Sequence, residues 1–128
     1  MNESAYIDRI AEMLGACGVT VRLHAHEIHY GGQYRPLTNE VLLNFPHARQ
    51  ALMSLAHEAG HWVGYLLHGV SRNLEREQYQ RERQAYVYGW RVLVFVGANA
   101  LITREEWIDD CTTSHVYFRA AEAGLLDH

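Results

Sequence analysis

Cysteine is scarce in this chain. Only Cys17 and Cys111 occur in 128 residues, far apart and outside any CxxC pair, which excludes a disulfide framework and a structural zinc knuckle. Both read as reduced, partly buried thiols. A surplus of positive charge is also lacking: a formal net charge of −4 offers no basic face to a phosphate backbone, so direct nucleic-acid binding is not expected. The longest apolar run, Val92 to Ile102, is too short to cross a bilayer, and no membrane partner is expected. The opening Met1-Asn2-Glu3-Ser4 has neither the basic start nor the apolar run of a secretory signal, which points to a cytoplasmic protein. No repeat, low-complexity segment or linker divides the sequence. It reads as a single domain over residues 1–128, long enough to bury one core without staples.

Histidine, by contrast, is abundant. Nine of them make the charge sensitive to pH between about 5 and 7 and supply many potential metal ligands. The most informative stretch is His57-Glu58-Ala59-Gly60-His61, an HExxH arrangement inside an apolar helical pattern. Residues four apart on a helix return to nearly the same face, so two imidazoles can reach one zinc ion. Glu58 then stands beside them to handle the proton of an attacking water. This chemistry is metal-assisted hydrolysis, most often of a peptide bond. Leu52, Leu55, Ala59, Trp62 and Leu66 recur at three- and four-residue steps and mark one buried stripe, with His57 and His61 flanking it.

The pattern along the chain is α+β: a small, mainly antiparallel sheet packed on a bundle of helices, with HExxH on a long central helix. Ser4 is a candidate N-cap for a first helix with Ile7, Ile10, Ala11 and Leu14 on its apolar side, ending at Gly15 and Gly18. Val19 to His24 alternates as a half-buried strand. Gly31-Gly32 interrupts the next stretch as a turn does, and Glu40 to Phe45 reads as another strand closed by Pro46. The central helix runs from about Pro46 to His68, with Gly69 past its end. A second long helix spans Leu74 to about Val96. Thr103 and Glu106 have capping-box spacing for a short helix, and Ser114 to Ala123 fits a last one.

Catalytic zinc takes three protein ligands and leaves a position for water, so a third ligand is needed. The HExxHxxGxxH pattern fails here because Leu67 holds the histidine position, and His68 lies about 10 Å along the axis from His61. It reads as a helix-end residue favoured by the dipole. A glutamate of the following helix is the other source, with Glu75, Glu77 and Glu82 as candidates. Glu82 is favoured, since Ala85, Gly89 and Val96 continue its face and the small residues let two helices approach. Glu75 and Glu77 are accounted for by a solvated, ion-paired face.

A leading helix, a small sheet ending in Glu40-Val41-Leu42-Leu43-Asn44, the segment Ala56 to His61, and then Glu82-Arg83-Gln84-Ala85 together resemble the ImmA/IrrE group of compact gluzincin-type metallopeptidases, over residues 4–100. The resemblance implies a zincin-like fold, one zinc ion on His57, His61 and Glu82, and Glu58 as general base. It also implies a protein or peptide substrate, such as a helix-turn-helix transcriptional repressor of a phage or mobile element. Many gluzincins carry an aspartate four residues after the metal glutamate to orient a ligand histidine; this chain has Tyr86 there. By the same resemblance, the segment from Tyr30 to Arg35 is a candidate sheet edge for an extended substrate. Tyr86, Tyr88, His115 and Tyr117 are candidates for stabilising the oxyanion. His24 and His26 would share one strand face and, with His29, suggest a second metal site, although single exposed histidines are commoner. Two rival functions remain: a catalytically inactive, zinc-stabilised protein-binding module with a metallopeptidase-like fold, and a zinc-independent helical interaction protein.

Overall fold

The computed structural model describes residues 1–69 and 75–114; for residues 75–79 and 112–114 the backbone alone is described. The expected helix from Ser114 to Ala123 lies outside the described residues, apart from Ser114. Helix α1 spans Glu3–Ala16 and buries Tyr6, Ile7, Ile10 and Leu14, a spacing that returns to one face every three to four residues. Its N-cap is Asn2, not Ser4: the Asn2 Oδ1 accepts from the Ala5 N–H at 3.0 Å. The earlier start places Glu3 in the first turn, where its charge favours the positive end of the helix.

Three short strands follow: β1 (Thr20–Arg22), β2 (Gly31–Arg35) and β3 (Glu40–Asn44). Their order in the sheet is β1-β3-β2. β2 and β3 form an antiparallel pair with Tyr34 opposite Val41, whereas β1 runs parallel to β3 with Val21 opposite Val41. The sheet is therefore mixed. β3 is the central strand, and Val41, Leu42 and Leu43 are all buried, as a strand covered on both faces requires.

Two sequence expectations are corrected in this region. β1 stops at Arg22 because the chain turns at His24, which has φ 57°, so residues 24 and 26 do not share a strand face. Gly31 and Gly32 are not a turn but the first residues of β2. The reason is tertiary: a Cβ on Gly32 would press on the Ser54 hydroxyl and stand 3.3 Å from Cγ of Glu58. Glycine lets the strand lie directly on the central helix.

That central helix, α2, spans Ala48–His68, with His47 as N-cap and Gly69 as C-cap. Pro46 thus precedes the helix and is not part of its first turn. α2 packs against α1, β2, β3 and the next helix, α3 (Glu75–Val96). Leu52, Leu55, Ala56 and Ala59 are completely buried in the core. The apolar stripe does not continue to Leu66, which is 62% exposed; toward its C-terminal end α2 turns Gly60 and Gly64 to α3. A 3-10 turn at Ala98–Ala100 leads into α4 (Arg104–Ser114).

α4 begins with the expected capping box. The Glu106 N–H donates to Thr103 Oγ1 at 3.1 Å, and the Thr103 N–H donates to Glu106 Oε1 at 3.4 Å, which satisfies two exposed donors of the first turn. Arg49 of α2 pairs with both Glu106 and Glu3 and donates to the Leu101 carbonyl at 3.2 Å. This side chain ties α1, α2 and α4 together. Trp107, fully buried, fixes the other side of α4 to α3 by donating its Nε1 proton to the Tyr86 carbonyl at 2.9 Å. Among the described residues, no helix is long and apolar enough to cross a membrane.

Candidate metal centre

The centre is built where α2 crosses α3, and small residues set how close the helices come. A Cβ on Gly60 would run into the Ala85 carbonyl, and one on Gly89 would stand 2.7 Å from the Ala56 carbonyl oxygen. Backbone therefore lies against backbone. This contact places Glu82, one turn before Ala85, opposite the imidazoles of His57 and His61. Arg81 supports the arrangement by donating to the Gly64 and His68 carbonyls at 3.2 and 3.0 Å, closing the C-terminal end of α2.

His57 Nε2 lies 2.9 Å from Glu82 Oε2, and His61 Nε2 lies 3.1 Å from Glu82 Oε1. One carboxylate thus faces both imidazoles, each through a different oxygen. The two rings meet edge to face, with centroids 4.7 Å apart. All three residues offer donor atoms within 4.8 Å of one another, and they are the one such group with metal-ligand chemistry among the described residues. Around a tetrahedral zinc with bonds of about 2.0–2.2 Å, neighbouring ligand atoms stand about 3.3–3.6 Å apart. The two histidine–carboxylate separations, each to a different oxygen of Glu82, are slightly shorter than this spacing, and two imidazoles plus a carboxylate suit that ion. The donor set fits zinc.

Glu58 is the buried charged residue beside this group, only 7% exposed. It sits beneath Gly32 of β2, and its charge acts on His61. Burial pulls the His61 pKa down, but the hydrogen bond with Glu82 and the charges of Glu58 and Glu82 outweigh it, so the pKa stands above its ordinary value of 6.5. Burial pushes the Glu82 carboxyl up, yet the hydrogen bonds from His57 and His61 prevail and hold it far below the usual carboxylate range.

The signs of these two shifts differ. Without metal, the Glu82 contribution to stability is present above about pH 4.5 and is lost as pH falls through its depressed folded pKa; the His61 contribution is present below about pH 6.5 and is lost as pH rises through its raised folded pKa. A zinc ion bound there would need neutral imidazole and would have to displace the His61 proton. We expect chelator competition to give zinc affinity on the order of tenfold tighter at pH 8 than at pH 6, with protons released on binding.

The remaining candidates fall elsewhere. His68 Nε2 meets the Tyr88 hydroxyl at 2.9 Å, so both belong to a contact at the end of α2 and not to the centre. Tyr86 is buried with its ring on His57, centroids 4.2 Å apart. It packs against a ligand candidate. His24, His26 and His29 do not enter any metal-ligand group among the described residues. Glu75 and Glu77 lie on α3 where backbone alone is described, and His115 and Tyr117 lie outside the described residues.

Two neighbours of the centre were not anticipated from sequence as such. Gly32 is one, disguised by a pair of glycines that resembles a turn. The other is Asp110 of α4: burial raises its pKa, the His57 imidazole opposes that shift, and the neighbouring Asp109 adds to it. The only signal in the sequence is its place one turn after Trp107. Searched against protein-family models, curated proteins and solved structures, the chain matches none of them.

Proposed function

We propose that this chain is a zinc-dependent endopeptidase of the ImmA/IrrE-like, compact gluzincin type with a zincin-like fold. His57, His61 and Glu82 hold the ion, and Glu58 is the general base. Zinc, when bound, polarises a carbonyl and brings the pKa of water toward about 7. The buried position of Glu58 is the observation that carries the reading. A carboxylate next to three ligand side chains, yet outside the mutual contacts of His57, His61 and Glu82, has no task in a purely structural site. In a hydrolase it takes the proton of the attacking water and passes it to the leaving amine.

The edge strand supports a peptide as the substrate. Among the described residues, β2 pairs with β3 on one side only, so its other edge can add an extended segment through main-chain hydrogen bonds. Gly32 brings that strand against Glu58, and Tyr34 farther along it meets the ring of Tyr65 on α2 at 6.2 Å. A strand held there runs past the general base. The substrate class we favour is a regulatory protein such as a helix-turn-helix repressor of a phage or mobile element, acted on in the cytoplasm.

The test is to incubate the zinc-loaded chain with repressors encoded beside its gene and follow fragments by mass spectrometry. Cleavage at defined peptide bonds, lost on chelation and regained with zinc, is the expected result. A chain that retains zinc but captures repressors without cutting any would overturn the enzyme in favour of a binding module.

A further inference from the structure

The face of α2 that carries Glu58 and His61 continues beyond them. Ser54, Glu58, His61 and Tyr65 follow one another at steps of four, three and four residues, which on a helix is one face. β2 lies along it. A Cβ on Gly32 would meet Ser54 and Glu58, and two residues farther the Tyr34 ring stands 6.2 Å from that of Tyr65, tilted by 59°. Residues two apart on a strand share a face, so Gly32 and Tyr34 are both on the side of β2 that meets α2. Gly32 adds no side chain beside Glu58, and Tyr34 with Tyr65 makes an aromatic wall farther along.

The wall is held from behind. The Tyr34 hydroxyl donates to Asn39 Oδ1 at 3.0 Å, and Asn39 Nδ2 donates to the Gly18 carbonyl at 2.9 Å, so the ring and the amide that sets its direction are both fixed. With that hydroxyl engaged, Tyr34 offers carbon surface rather than a polar group. Both tyrosines are half-buried, and each keeps part of its ring exposed.

We infer that Tyr34 and Tyr65 form a specificity subsite, which takes an aromatic or large aliphatic side chain of an extended peptide laid along β2. The inference rests on the peptidase reading above. Side chains directly opposite each other on paired strands stand about 4.5–5.5 Å apart at Cβ, so the peptide residue opposite Tyr34 lies against the wall. The residue opposite Gly32, two positions away, lies beside Glu58 and meets no β2 side chain. Antiparallel pairing is the more stable arrangement per residue, and in that direction the residue opposite Tyr34 is on the amino side of the one opposite Gly32. Edge-on and offset ring contacts favour phenylalanine or tyrosine there, and leucine or methionine gain from the same carbon surface, whereas small or charged residues do not.

The zinc-loaded chain should be incubated with a synthetic library of unstructured peptides randomised at every position, and the cuts mapped by mass spectrometry. A large apolar residue is expected about two or three positions before the scissile bond, favoured over alanine by about 10-fold in kcat/KM. Two peptides that differ only at that position, phenylalanine against alanine, are then compared for the parent, Tyr65→Ala and Tyr65→Phe. We expect Tyr65→Ala to reduce the phenylalanine-to-alanine ratio by about 3- to 10-fold, mainly through KM, and Tyr65→Phe to keep it. The ratio is read within one preparation, so a partial loss of folded or zinc-loaded protein does not move it; if Tyr65→Ala does not fold, Tyr34→Ala reads the same ratio. Cuts with no such preference on the amino side, or a ratio unchanged by the alanine variant, would overturn the subsite. A chain that binds zinc but cuts no peptide of the library would overturn the peptidase reading itself, and this inference with it.

Discussion

Replacing Glu58 by glutamine is expected to leave zinc in place and to remove cleavage. The substitution keeps the size of a side chain that is buried under Gly32, so no cavity opens and the sheet need not move. What disappears is the ability to accept a proton, a contribution of about 10^2- to 10^4-fold in rate for a positioned general base. Metal affinity should not fall, because Glu58 stands outside the contacts that His57 and His61 make with Glu82. Loss of the Glu58 charge also removes one of the influences that raise the His61 pKa, so its proton becomes easier for zinc to displace. Initial cleavage rates beside zinc stoichiometry check this, and a Glu58→Gln chain that cuts at the parent rate would contradict it.

The second large effect concerns the helix crossing. Gly60→Ala adds one methyl group, but the atom it meets is the Ala85 carbonyl, which cannot rotate away as a side-chain tip can. The helices must separate, and overpacking of this kind costs about 1–3 kcal/mol, on the order of 5–10 °C in Tm for a domain of this size. Separation also moves Glu82 from the imidazoles, whereas a binding constellation tolerates only about 0.5 Å of misplacement, so zinc affinity falls too. Gly15→Ala is the matched control. Gly15 lies within α1 with nothing within 4 Å of an added Cβ, and alanine there should be neutral or stabilising by up to about 1 kcal/mol. Equal Tm values for the parent and Gly60→Ala would refute the proposed close crossing.

Much of the candidate site is legible in the sequence because helical periodicity is local. The four-residue step of His57 and His61 required only a helix, and the face shared by Glu82, Ala85 and Gly89 required only a second one. Small residues then indicated that the two faces meet. The capping box of Thr103 and Glu106 was likewise contained in a few residues.

What could not be read depends on packing between distant segments. Gly31-Gly32 resembles a turn until α2 is placed beneath it, since its strand conformation comes from pairing with Leu43 and Asn44 and from the lack of room for a Cβ. Leu66 fits the apolar period of α2, yet it is exposed because α2 turns Gly60 and Gly64 to α3 instead. Asn2 and Ser4 are comparable capping residues, and local sequence does not choose between them.

The most direct measurement of the central claim is zinc per chain by elemental analysis, for the purified protein and for His57→Ala, His61→Ala and Glu82→Gln after equal exposure to the metal. If these side chains share one ion, the parent carries close to one zinc and each replacement markedly weakens its retention during dialysis against a chelator. A parent that acquires no zinc, or a His57→Ala/His61→Ala chain that keeps as much as the parent, would contradict the account.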